Sequence, residues 1–212
     1  PTALYPKHPP ATRSVAFYSP RRNSAASKMD ATRLLSLPRH QVLHVSGITA
    51  AISEGGLQLT RAALFGRRDD VLVSFDVNYR AALWPRSVAA PVLAELANAA
   101  DIVFVGLDEA RDLWGVDTLE GIHALLPQPA TVVVQDGEVG ATALHAQGES
   151  MFEPAPKNHV VEPVAAGDAF AAVSLTAQSQ RDVHIDRPQH GTAAGGSDRV
   201  THAHAAGQRT AP

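Results

Sequence analysis

Between residues 41 and 155 the apolar positions follow two alternating rhythms. Short β-branched and aromatic runs read as buried strands: QVLHVSGI (41–48), VLVSFDVNY (71–79), DIVFVG (101–106) and TVVVQDG (131–137). Between them, AAISEGGLQLTRAALFGRRDD (50–70), SVAAPVLAELANA (87–99), LDEARDLWG (107–115) and TLEGIHALL (118–126) carry apolar residues at helical spacing. The first of these is expected to break at Gly55-Gly56. The second tolerates Pro91 near its start, and Gly115 closes the third. A short helix is expected from Ala31 to Leu37, stopped by Pro38, and GATALHAQGESMFEP (140–154) reads as two strands around a turn at Gln147-Gly148.

Strands alternating with helices predict an α/β fold, with a mainly parallel sheet and helices on both faces. Ligands of such sheets lie outside the carboxyl ends of the strands. The polar residues that follow these strands are Asp76, Asn78 and Arg80, then Gly106 to Glu109, then Asp136-Gly137, and finally Gly167-Asp168. Together they predict one crevice along one sheet edge.

The ends of the chain have a different character. Residues 1–30 are rich in Pro, Ser, Arg and Ala, and only SVAFYS (14–19) suggests a strand. Residues 173–212 hold only five aliphatic side chains (Val173, Leu175, Val183, Ile185 and Val200), at no regular period. Ordering a residue costs on the order of 1–2 kcal/mol of backbone entropy, so this tail is expected to be disordered. The organisation predicted is an irregular segment 1–30, a core 31–172 and a tail 173–212. The abrupt change near residue 172 is the mark a shifted reading frame would leave.

Composition narrows the function. A formal net charge of −3 over 212 residues gives no overall attraction to nucleic acid or anionic lipid. Cysteine is absent, which excludes disulfides and thiol chemistry and fits a cytoplasmic location. No apolar run approaches the roughly 20 residues of a membrane span. The opening PTALYPKHPPATR has no apolar core of the secretory kind and does not begin with Met, as an internal start would not. His44 and His145 fall within strand patterns and read as packed residues, whereas His202 and His204 sit in the tail without metal-site geometry.

The stretch VVEPVAAGDAFAAVSL (160–175) carries the sharpest chemistry. A small-residue turn, Ala165-Ala166-Gly167, leads into Asp168 and an apolar segment. Unpaired N–H groups at a helix start attract anions, and small side chains let a phosphate approach them. Asp168 can orient a substrate hydroxyl and take its proton; equally, it can be a simple N-cap. Phosphoryl transfer suits so weak a base, because its loose transition state needs positioning more than strong deprotonation.

EPVAAGDAFAA (162–172) resembles the D-T-x-G-A-G-D signature of ribokinase-type (PfkB) carbohydrate kinases. RRNSAAS (21–27), LHVSGITAAIS (43–53), SFDVNYRAALWP (74–85), VFVGLDEARDLWG (103–115) and VVVQDGEVGATAL (132–144) occur in the order and spacing of 2-keto-3-deoxygluconate kinases of that family. The resemblance covers roughly residues 12 to 172. It implies a partial ribokinase-like fold and transfer of the ATP γ-phosphate to a sugar or sugar-acid hydroxyl, with Mg²⁺ bridging the phosphates.

By the same resemblance Asp168 is the base, and the amides of Ala166 and Gly167 form the anion hole. Arg80 faces the substrate carboxylate or the transferring phosphate, with Asp76 and Asn78 beside it. Arg21 or Arg22 reaches the sugar acid, and Gln135, Gly137, Gly140 and Gly167 lie near the nucleotide. Glu109 supports magnesium and phosphate through water. Plainer readings stand beside these: turn capping for Asp76 and Asn78, solvated arginines at 21 and 22, a first-turn helix carboxylate at 109, and ordinary turn glycines at 137 and 140.

The chain departs from the family pattern at several positions. Ala165 replaces the first Gly of G-A-G-D, Glu162 the opening Asp, Gly106 the Asn of Asn-x-x-Glu, and Gln135 a frequent Lys. Pro20 stands where the relatives carry an aromatic residue. The family's first strands, sugar-binding glycines and most of its β lid belong before residue 12, and its adenine-side helices after 172. Weak or absent activity and self-association are therefore expected of this chain. A non-catalytic kinase remnant and a small-molecule binding module are the alternatives.

Overall fold

The structure, a computed structural model, describes residues 24–66, 70–155 and 171. The strand expected at 14–19, the turn at 165–168, Arg21, Arg22 and the tail lie outside the described residues.

Among the described residues six strands form one sheet in sequential order: β1 (Val42–Ser46), β2 (Leu72–Asp76), β3 (Ile102–Gly106), β4 (Thr131–Asp136), β5 (Gly140–His145) and β6 (Ser150–Pro154). β1 to β4 are parallel, and β5 and β6 return antiparallel. The helices are α1 (Gly47–Ile52), α2 (Glu54–Phe65), α3 (Arg86–Asn98), α4 (Leu107–Trp114) and α5 (Leu119–Leu125). Sequential strand order combined with right-handed crossovers sends the connecting helices to the same side of the sheet.

Period-two alternation then sorts the strand side chains into two cores. Val73, Phe75, Val103, Val105, Val132 and Val134 pack with Leu64, Leu93, Leu113 and Ile122 of the helices. Val73, Phe75 and Leu93 are at 0% exposure, and each such side chain contributes about 1.5–3 kcal/mol by leaving water. The opposite parity, Ile102, Phe104 and Val133, forms a second cluster with Ala141. The helical residue Ala171 is buried in that cluster, so helical residues meet both faces.

Local signals explain most boundaries. The side chains of Ser46, Ser53 and Thr118 accept amide bonds at the starts of α1, α2 and α5. Gly115, at φ 76, closes α4 as expected, and Pro91 lies inside α3. Three boundaries differ from the sequence reading. The helix after β1 breaks at Ser53, not at Gly55-Gly56, because the extended Ser53 caps the Gly56 amide at 3.0 Å and the glycines fall in the first turn of α2. Residues Ala31–Ser36 form a 3-10 helix capped by Asp30. Gly47 begins α1 instead of ending β1, and a Cβ there would stand 2.0 Å from the Val77 carbonyl oxygen. Only glycine lets α1 pass so close to the chain leaving β2.

All of β6 is exposed, including Met151 and Phe152 at 66% and 54%. Among the described residues, no helix is long and apolar enough to cross a membrane.

Candidate active site

The parallel register brings the carboxyl ends of four strands to one edge. Ser46 pairs with Asp76, Asp76 with Phe104, and Gly106 with Gln135. Beyond β2 the chain stays attached to β3 for one more residue, where the Val77 N–H donates to the Phe104 carbonyl at 3.0 Å. It then reverses at Asn78, whose φ of 43 is the positive value among described non-glycine residues. Asparagine tolerates this left-handed region better than most residues. Its Nδ2 donates to Asp76 Oδ2 at 3.3 Å. Arg80, exposed, donates from Nη1 to the Tyr79 carbonyl at 2.8 Å.

β3 runs directly into α4, and Glu109 lies in its first turn. The carboxylate spans two elements: Oε2 accepts the Gly106 N–H at 3.3 Å, and Oε1 accepts the Tyr79 N–H. The first bond is half of a capping box, because Gly106 has no side chain to reciprocate. Asp108 Oδ1 takes the N–H of Glu109 at 2.8 Å. Burial pushes the Glu109 carboxyl up to about 7 from its ordinary 4.5, and the charge of Asp76 adds to the rise; the Gly106 and Tyr79 amides and Arg80 oppose it. The edge therefore holds one carboxyl poised to ionise near neutral pH, a second acid, an amide side chain and a guanidinium. That set can bind hydroxyls and an anionic group side by side.

On the next strand, Gln135 is half-buried opposite Gly106. The turn after β4 is closed by the Val139 N–H bonding the Asp136 carbonyl at 2.8 Å. Gly137 takes φ 46 there, and a Cβ on it would meet no described residue within 4 Å. Gly140 starts β5 opposite Asp136. Thus Asp76, Asn78, Arg80 and Glu109 form one connected group, and Gln135 and Gly137 stand at the same edge. Asp168, Ala166, Gly167, Arg21 and Arg22 lie outside the described residues, although Ala171, three residues after Asp168, is buried against the Phe104 face. Among the described residues no three His, Cys, Asp or Glu side chains gather as a metal site. The sequence reading missed Tyr79, which enters the site through its backbone and leaves no side-chain signature.

Residues 6–207 match the model of the pfkB family of carbohydrate kinases. The chain belongs to that family. The match runs past both ends of the 12–172 span carried by the motifs. Among curated proteins, the chain is similar to the 2-dehydro-3-deoxygluconokinase of Bacillus subtilis (strain 168), 32% identical over 190 residues, covering 85% of this chain and 57% of the relative. The enzyme of that name from Escherichia coli (strain K12) is 32% identical over 200 residues, covering 84% and 63%. Among solved structures, a PfkB protein from Polaromonas sp. JS666 is 31% identical with a TM-score of 0.68, covering 84% of this chain and 60% of that one. The 2-dehydro-3-deoxygluconokinase of Thermotoga maritima shares the fold at TM-score 0.67 and 22% identity, covering 79% and 58%. The chain thus spans 57% and 63% of the length of these two curated relatives. Both the pfkB family and its α/β fold agree with the reading of the sequence.

Proposed function

We propose that this pfkB-family protein transfers the γ-phosphate of ATP to a hydroxyl of a sugar acid resembling 2-keto-3-deoxygluconate. The observation that carries the reading is the group at the strand tips, in which the hydrogen-bonding pair Asp76-Asn78 is followed by Arg80, whose guanidinium bonds the Tyr79 carbonyl. A guanidinium fork binds a carboxylate through two parallel bonds, and an acid with an amide side chain holds neighbouring hydroxyls. Arg21 or Arg22 offers a second cation to the acid.

In this reading Asp168 accepts the proton of the attacking hydroxyl as its oxygen bonds to the γ-phosphorus, and ADP leaves with the electrons of the broken P–O bond. The amides of Ala166 and Gly167 stabilise the charge on the transferred group. Gln135, Gly137 and Gly140 lie near the nucleotide phosphates, which approach along the Gly137 turn. Magnesium, when bound, would supply charge neutralisation at the phosphates, and Glu109 would support it through water. Support comes also from the names of the curated relatives and from a fold neighbour, a putative ribokinase II from E. coli in complex with ATP and Mg²⁺.

ATP consumption with 2-keto-3-deoxygluconate tests the proposal, with Asp168→Ala as control. Loss of a positioned base is expected to cut turnover by about 100-fold or more. Equal background in both proteins would instead identify a non-catalytic remnant or a simple binding module.

A further inference from the structure

We infer that Glu109 is a positioning residue of the sugar-acid site, holding Arg80 at the strand tips through the backbone of Tyr79. The functional consequence rests on the kinase reading above, whereas the clamp itself rests on backbone geometry. One carboxylate bonds two chain segments that leave adjacent strands: the Gly106 N–H at the end of β3, and the Tyr79 N–H in the segment after β2. The Tyr79 peptide is held from its other side as well, because its carbonyl accepts Arg80 Nη1 at 2.8 Å. Glu109, Tyr79 and Arg80 therefore form one chain of bonds, from the head of α4 to the exposed guanidinium.

The reversal between β2 and Tyr79 gives this clamp its purpose. Asn78 sits at φ 43, a conformation that an L residue leaves readily unless the chain on both sides is fixed. On the strand side it is fixed by the Val77 amide bonded to Phe104 at 3.0 Å. On the far side Glu109 supplies the bond to the Tyr79 amide. Asp108 is no substitute, since its Oδ1 already takes the amide of Glu109 at 2.8 Å. Releasing the pin frees residues 78–80 to relax together, and the Arg80 head leaves the strand tips. Such a role predicts an effect on sugar-acid binding that runs through Arg80.

The test compares the full chain with Glu109→Ala, which removes both acceptors, Glu109→Gln, which keeps one, Arg80→Ala, and the double variant Glu109→Ala/Arg80→Ala. In steady-state assays with 2-keto-3-deoxygluconate and MgATP, Glu109→Ala is expected to raise the sugar-acid KM about tenfold, and Glu109→Gln less. Glu109→Ala should add nothing to the sugar-acid KM once Arg80 is absent. Amide hydrogen exchange provides a readout independent of activity: in Glu109→Ala exchange at Tyr79 is expected to quicken about tenfold, with Val77 unchanged. If that variant does not fold, faster exchange at Tyr79 or Gly106 in Glu109→Gln gives the same support. Additive effects of the two substitutions on the sugar-acid KM, or a sugar-acid KM unchanged in Glu109→Ala, overturn the inference. If the unsubstituted protein shows no turnover, the kinase reading fails, and exchange at Tyr79 alone decides the clamp: unchanged exchange in Glu109→Ala sinks it.

Discussion

Two carboxylates tie β2 to β3, one at each edge of the sheet, in opposite surroundings. At the amino edge Asp101, only 4% exposed, accepts the Val73 N–H at 2.8 Å. Its own backbone bonds Val73 on one side and Thr131 on the other, at 2.9 and 3.2 Å. At the carboxyl edge Glu109 also accepts backbone N–H groups, but it is half-buried and lies beside Asp76 and Arg80, which influence its ionisation. The same type of bond closes the sheet at one end and arranges exposed polar groups at the other. In parallel α/β sheets ligands gather at the carboxyl ends, so the open edge can carry chemistry while the shut edge bears stability.

The largest effect should come from the shut edge. Asp101→Ala leaves the Val73 amide without its carboxylate in a dry environment, and is expected to cost about 3 kcal/mol in urea unfolding. Sugar-acid KM in the folded fraction should not move. A shift in KM would show that the two edges do not divide the labour in this way.

The open edge should instead respond to pH. Because burial raises Glu109 to about 7 from 4.5, the folded chain binds more protons than the unfolded chain between these values. Its contribution to stability is full below pH 4.5 and is lost as pH rises through about 7. The expected loss is about 2 kcal/mol, allowing for solvent screening at a half-buried site. Glu109→Gln, which cannot ionise, should flatten that part of the stability–pH curve. A curve unchanged by the substitution would remove the electrostatic contrast between the edges.

The smallest effect concerns the reversal at Asn78. Alanine at φ 43 is expected to lose about 1 kcal/mol, while Asn78→Gly should hold its unfolding midpoint more nearly, because glycine enters this region freely. Equal losses in both variants would place the cost in the missing bond to Asp76 and not in the backbone.

The strands, the helices, the Gly115 stop and the family were legible in the sequence because they rest on short-range signals: period-two and helical apolar spacing, a left-handed cap and ordered motifs. The break at Ser53 was less legible, since glycine pairs and a capping serine compete locally and only packing chooses between them. The placement of Asp76, Asn78, Arg80 and Glu109 at one edge was foreseeable once the strands were taken as parallel. Their bonding was not. Glu109 reaches Tyr79 across 30 positions, and Asp101 reaches Val73 across 28. By itself, then, the sequence determined which segments become strands and helices, and which polar residues stand at the strand ends. The tertiary structure decided which backbone amides those carboxylates satisfy. A buried N–H must find an acceptor, and only the register of neighbouring strands determines which one is within reach.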